Sequence, residues 1–213
     1  MGNKSEKKIP HSVISRLFVY LRELTELDKL NIRVVSSAEL GERTNLSDTQ
    51  VRKDLGYFGQ FGVSGSGYNI SKLKNALENI LTKDKDLNVA VVGTGKLASA
   101  LLAYPGFEKH GLKIVSAFDK SKSKIGKKIG DIFVQPVDEL EKVVKKKHIV
   151  IGIITTPAQF AQEIADKLVN AGVKCILNFA PATLNIPKNV KIKDIDLSRE
   201  LETLSYFLKY ENK

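Results

Sequence analysis

From Leu87 onward the chain alternates short, nearly unbroken apolar runs (NVAVVG, KIVSAF, IVIGIIT, KCILNFA) with stretches of helical periodicity at 96–103, 137–147 and 158–171. Runs of this length, rich in β-branched residues and without polar alternation, predict strands buried on both faces. Strands of that kind alternating with helices leave few folds open. The pattern predicts an α/β unit, a parallel sheet with helices on both sides.

The first of these runs ends in VVGTGKLASA, which reads Gly93-x-Gly95-x-x-Ala98. A glycine at 93 permits a tight strand-to-helix turn, one at 95 lets a pyrophosphate approach the backbone, and Ala98 allows the helix to pack closely on the strand. The helix start then offers unpaired N–H groups and a favourable dipole to phosphate. The next run ends in IVSAFD, placing Asp119 21 positions after Ala98. An acid near that spacing suits the two hydroxyls of an adenosine ribose and opposes a 2′-phosphate, favouring NAD(H) over NADP(H). Lys120, Lys122 and Lys124 soften that preference. The segments TTPA (155–158) and NFAPA (178–182) follow two further strands and fall at the same end of the sheet, where ligands of open α/β sheets bind. The unit is therefore expected to be a Rossmann-type nucleotide-binding domain.

Catalytic machinery is not evident beside that site. A dehydrogenase needs a group that moves a proton while hydride moves. His11 lies in the front part of the chain, and His110 and His148 fall at the far end of the sheet. Cys175 begins a strand and reads as core. No catalytic residue is expected.

The front part of the chain has its own organisation. Val13, Leu17, Tyr20, Leu21 and Leu24 recur at helical spacing after Pro10, which suits a first helical turn. Ser36 with Glu39, and Ser47 with Gln50, form two capping boxes, predicting short helices that start at Ser37 and Asp48. Two short helices a few residues apart make a helix-turn-helix. The glycine-rich GQFGVSGSGYNI that follows predicts a β-ribbon, and SKLKNALENILTK a closing helix with Leu73, Leu77, Ile80 and Leu81 inward. Together these give a winged-helix layout. Its second short helix is expected to enter the major groove of DNA. Thr49 and Gln50 then reach toward base edges, and Arg52 and Lys53 toward phosphate or guanine. Ser47, Tyr57 and the ribbon residues Ser64, Gly65 and Tyr68 complete the candidate DNA-binding surface.

Charge agrees with a polyanionic partner without locating it. The net charge is +10 over 213 residues. It is spread over both halves, +4 in residues 1–83 and +6 in 84–213. One cysteine excludes a disulfide framework or a cysteine-rich zinc site within one chain, and no metal is expected. No apolar run approaches a membrane span or a signal peptide, so a cytoplasmic location without membrane contact is expected.

In this order and spacing, SSAEL, VRKDLGYFGQFG, GSGY, GTGKLASAL, YPGF and NFAP closely resemble the Rex family of redox-sensing transcriptional repressors, over essentially the whole chain. The resemblance implies a homodimer. A winged-helix domain (1–84) binds palindromic double-stranded operator DNA, and a Rossmann domain (85–196) senses NADH against NAD+. A C-terminal helix (197–213) is exchanged between subunits, and NADH releases the DNA. It places pyrophosphate contacts on Gly93, Thr94, Gly95, Lys96 and Leu97, beside Ala98. The ribose contact falls on Asp119, next to Lys120. The nicotinamide side involves Tyr104, Thr155, Thr156, Pro157, Asn178, Phe179 and Pro181. Arg16 of one subunit pairs with Asp196 of the other, and Phe207 belongs to the same dimer switch. Two positions depart from the family pattern: Ala98 stands where glycine is usual, and the ribbon has no basic residue between Val63 and Gly67. A small NAD-dependent oxidoreductase with an N-terminal interaction module is the alternative reading, and a CoA- or nucleotide-responsive regulator a third.

Overall fold

The computed structural model describes residues 9–63, 65–81 and 86–210, and all counts and absences below refer to those residues. The chain divides into two compact units, Met1–Lys83 and Asp84–Lys213.

The first unit runs α1 (His11–Lys29), β1 (Val34–Val35), α2 (Ser37–Thr44), α3 (Asp48–Gly56), β2 (Gly62–Val63), β3 (Gly67–Asn69) and α4 (Ile70–Leu81). Pro10 is the N-cap of α1, just outside it. Leu17, Tyr20, Leu24 and Leu27 of α1 pack against Leu40, Val51, Leu55, Leu73 and Leu77 as one buried cluster. The two serine caps form as expected: Ser36 Oγ accepts from the Glu39 amide at 3.0 Å, and Ser47 Oγ from the Gln50 amide at 3.1 Å. Only that half of each box is made, because the N3 side chains turn to other partners. Glu39 pairs with Arg43, and Gln50 turns to Asp54. The two-residue strand β1, not expected from the sequence, pairs antiparallel with β3, so the ribbon becomes a three-stranded sheet in the order β1-β3-β2.

The second unit runs β4 (Leu87–Val92), α5 (Lys96–Leu102), α6 (Gly106–Lys109), β5 (Leu112–Asp119), β6 (Lys128–Ile129), β7 (Ile132–Pro136), a 3-10 turn at Val137–Glu139, α7 (Leu140–Lys146), β8 (Ile149–Ile154), α8 (Ala158–Asn170), β9 (Cys175–Asn178), β10 (Lys191–Asp194) and α9 (Leu197–Tyr210). The sheet order is β10-β9-β8-β4-β5-β7-β6, parallel throughout except for the β6–β7 hairpin. The four apolar runs form its centre. Successive side chains of β4 enter opposite layers: Ala90 and Val92 pack with α7 and α8, and Val89 and Val91 with Ala98 and Leu101 of α5. Both neighbours of β4 are reached by crossovers, so its carboxyl end is the point where strand order reverses and a crevice opens.

Candidate functional site

The crevice is built around the turn between β4 and α5. Gly93 has φ +95°, in the left-handed region, and a Cβ there would lie 2.9 Å from the Thr155 backbone. A Cβ on Gly95 would meet nothing within 4 Å, so that face of the turn is open. Lys96 and Leu97 begin α5, with Leu97 exposed, and Ala98 is fully buried against the strands.

Asp119, at the end of β5, is 6% exposed and heavily hydrogen-bonded. Its Oδ2 accepts from the Thr94 amide at 2.8 Å, the Thr94 hydroxyl at 2.6 Å and Lys124 Nζ at 2.9 Å. Its Oδ1 accepts from the Ser121 amide at 2.9 Å. Burial alone would raise its pKa, but the Thr94 hydroxyl, the two amides and the Lys124 ammonium outweigh burial and hold it well below the usual carboxylate range. The expected ribose acceptor is thus also the clasp of the turn between β4 and α5. Ser121 and Lys124, which sequence reasoning did not assign to the site, share it. Lys120 Nζ lies 2.9 Å from the centroid of the Phe160 ring at the start of α8.

Across the crevice, Thr155 Oγ1 donates to the Gly93 carbonyl at 2.7 Å and approaches that of Val92 at 3.1 Å, tying the TTPA segment to the turn. Thr156 Oγ1 is buried and has no hydrogen-bond partner among the described residues. An orphaned buried hydroxyl beside an open glycine turn fits a polar ligand, because leaving it unmade is costly. Pro157 is the N-cap of α8. Tyr104 is exposed and meets Phe107 edge-to-face at 5.2 Å. Asn178 is fully buried. Its Nδ2 donates to Asp194 Oδ1 at 2.8 Å, the Ala180 carbonyl at 3.1 Å and the Ala182 carbonyl at 3.2 Å, while its Oδ1 accepts from the Ala180 amide at 3.0 Å. Its side chain therefore shapes the loop that carries Phe179 and Pro181. The Asn178 carbonyl also accepts from the Ile195 amide at 2.8 Å. One residue on, Asp196 Oδ1 caps α9 through the amides of Ser198 and Arg199. On α9, Leu197, Leu201, Leu204 and Phe207 are exposed, and Phe207 meets Tyr206 edge-to-face.

In the first unit the expected DNA face centres on α3. Thr49 and Lys53 are exposed, and so is Tyr57 just beyond the helix. Arg52 Nη1 donates to Asp48 at 2.7 Å and to Ser37 at 2.9 Å, and Nη2 donates to Thr49 at 3.2 Å, so its guanidinium is already engaged. An open groove of about 750 Å³ runs between α3 and the ribbon, lined in part by Ser36, Ser37, Arg52, Gly65 and Tyr68. Tyr68 packs part of its ring against the core. Ser64 lies outside the described residues.

The inner face of α3 holds a residue the sequence did not single out. Asp54 is fully buried. Arg16 grips it with Nε–Oδ2 at 2.5 Å and Nη2–Oδ1 at 2.7 Å, and the Tyr20 hydroxyl and Gln50 Nε2 donate at 2.9 and 2.7 Å. Burial opposes ionisation here too, yet these donors keep the Asp54 pKa below the ordinary value. Among the described residues no group of His, Cys, Asp and Glu could hold a metal ion, and no helix is long and apolar enough to cross a membrane.

Comparison with known proteins agrees with this division. Residues 84–182 match the model of a CoA binding domain, and residues 8–56 match the one described as "Putative DNA-binding protein N-terminus". The chain is 48% identical to the redox-sensing transcriptional repressor Rex of Carboxydothermus hydrogenoformans, covering 93% of this chain and 96% of the relative. The crystal structure of RSP in complex with β-NAD+ and operator DNA is 40% identical, covers 96% of this chain and 94% of its own, and superposes with a TM-score of 0.89. The complex of RSP with β-NADH is 38% identical, with 97% of each chain covered and a TM-score of 0.87. With likeness over nearly its full length to repressors of one kind, the chain belongs to the Rex family of redox-sensing transcriptional repressors.

Proposed function

We propose that the protein is a cytoplasmic homodimer that binds a palindromic operator through residues 1–84, reads the balance of NADH and NAD+ through residues 85–196, and releases the DNA when NADH replaces NAD+. The observation that carries this reading is the likeness, over 96% of the chain, to a protein crystallised with both β-NAD+ and operator DNA. The geometry supports it from two sides. The open turn at Gly95, the clasped Asp119 and the orphaned Thr156 hydroxyl suit a dinucleotide. The exposed start of α3, bordered by a groove and a ribbon, suits the major groove.

The two nicotinamide forms differ by one hydride and one charge, at the nicotinamide ring. A ligand shifts an equilibrium only by its differential affinity for two states. The sensing contacts therefore lie near Tyr104, Thr155, Thr156 and the 178–182 loop. In the dimer, Arg16 pairs with Asp196 of the other subunit through Nη1, which the bidentate grip of Nε and Nη2 on Asp54 leaves unspent. That added contact is the switch in this reading. Residues 197–213 join the subunits, with Leu201, Leu204 and Phe207 buried against the partner.

The alternative of a small oxidoreductase gains nothing from the relatives, which are named repressors. The test is operator binding at fixed salt, with NADH, NAD+, NADPH and CoA titrated in turn. Salt is fixed because phosphate contacts make affinity steeply salt-dependent. Release by NADH at concentrations where NAD+ leaves the complex intact is expected. Release by CoA alone would replace the redox reading by a CoA-responsive one, which the family match at residues 84–182 makes worth including.

A further inference from the structure

Asp54 is the one fully buried charge on the inner face of α3, and its carboxylate is saturated. A carboxylate offers about four acceptor directions. Arg16 fills two, Tyr20 one and Gln50 one. The Gln50 contact differs from the others in its consequence. Arg16 and Tyr20 come from α1 and fix where α3 sits. Gln50 comes from α3 itself, one turn earlier, from a half-buried position beside exposed Thr49.

An ionised carboxylate only accepts. The Gln50 amide must therefore turn its NH₂ group toward Asp54, and the flipped amide would set two acceptors against each other. The bond occupies one N–H. What remains is the carbonyl Oε1 and the second N–H; with the proton trans to Oε1 spent on Asp54, the two lie on one edge of the amide. That edge is the donor–acceptor pair by which a glutamine recognises adenine N7 and N6 in the major groove. The backbone of Gln50 is held as well, since its amide donates to Ser47 Oγ at 3.1 Å.

We infer that Asp54 is a positioning residue for sequence readout: by holding the Gln50 amide in one orientation it presents a fixed donor–acceptor edge to an adenine in each operator half-site. The inference rests on the DNA-binding reading above. Arg16, Tyr20 and Asp54 act through Gln50 and touch no base. Order in the free protein is the advantage, since an amide already oriented loses less freedom on binding.

The test measures relative affinities of the full-length dimer for operators carrying each of the four base pairs at every half-site position. Gln50→Ala should lose roughly 10-fold of adenine preference at one position per half-site and leave the others unchanged. Asp54→Asn should lose preference at that same position, with an unchanged salt slope. In the double variant the two losses should not add. If Asp54→Asn lowers affinity equally for all sequences and keeps the Gln50-dependent preference, the carboxylate only supports the fold and the inference is overturned. It is equally overturned if Gln50→Ala changes no preference. Failure of the wild type to bind any duplex would instead sink the DNA-binding reading itself. A measurement on the wild type alone keeps the question open to decision should Asp54→Asn not fold. Two resolved, slowly exchanging Gln50 side-chain amide protons in the DNA-free protein are expected, and rapid exchange at the rate of a solvated amide rules the fixed orientation out.

Discussion

Thr94 and Asp119 are joined twice, the amide and the hydroxyl of the threonine both donating to the same carboxylate oxygen, at 2.8 and 2.6 Å. The turn after β4 and the end of β5 are thereby one piece. Asp119→Ala is expected to loosen the phosphate turn as well as remove a ribose acceptor. NADH affinity should fall, and NADPH affinity should fall less, because removal of the acid also removes repulsion of a 2′-phosphate. Calorimetric titration of both dinucleotides checks this, and equal losses would leave Asp119 as a clasp with no ribose contact.

The same carboxylate gives a pH signature. Its folded pKa is depressed, so its contribution is fully present above the unfolded value, about 3.9. It is lost only as the pH falls through the lower folded value. Asp119→Asn should cost about 1–3 kcal/mol at neutral pH. The gap between wild-type and variant stability should narrow below about pH 4, in parallel denaturation series.

Thr156 supplies a test that separates ligand binding from folding. Its buried hydroxyl has no partner among the described residues. Thr156→Val keeps the shape and removes the hydroxyl. Thermal stability without ligand should hold or rise slightly, while NADH affinity falls by about 0.5–1.5 kcal/mol. A loss of stability with unchanged NADH affinity would assign the hydroxyl to the fold.

On α3, Lys53 and Arg52 should not behave alike. Lys53 is exposed, whereas Arg52 already bridges Asp48, Ser37 and Thr49. Lys53→Ala should reduce the salt slope of operator binding by about one if the residue meets a phosphate, or cost about 1–3 kcal/mol if it reads a base. Arg52→Ala should weaken binding less and lower the stability of the first unit. Fluorescence anisotropy over a salt series distinguishes them.

The exposed leucines of α9 predict the assembly. Removal of residues 198–213 should give monomers that retain NADH binding but hold the operator poorly and respond little to NADH. Light scattering with operator titration reads both. A truncated dimer that still releases DNA would rule out this coupling route.

The sequence announced the four central strands because their middles are buried on both sides and apolar, although Cys175, read there as core, is exposed at the start of β9. It did not announce β10, whose KIKD alternates charge with a single apolar residue at the sheet edge, or β1, only two residues long. The glycine turn after β4 was legible because a φ of +95° and the close Thr155 backbone require glycine at 93. Asp54 was not, because in VRKDLG it is flanked by charges and reads as a solvated face. Its partners Arg16 and Tyr20 lie 38 and 34 positions away. Gln50 read as a free base contact for the same reason: a capping-box pattern shows which backbone group is satisfied, not where the side chain turns when a buried carboxylate is nearer. Lys124 entered the sequence reading only as a charge near Asp119, and Ser121 not at all, because the fingerprint names an acid and is silent on which groups bond it.

Asn178 also limits how this part of the sequence can drift. Its amide supplies two N–H groups to three oxygens and an oxygen to one amide, all from within the second unit. Aspartate has no donor to give the two loop carbonyls and would face Asp194 with like charge. Glutamine is one methylene too long for a fully buried position, and leucine strands every partner. Any lineage that replaces Asn178 must rework Asp194 and the backbone of 180–182 in the same step, so homologues are expected to vary freely around this residue long before they vary at it.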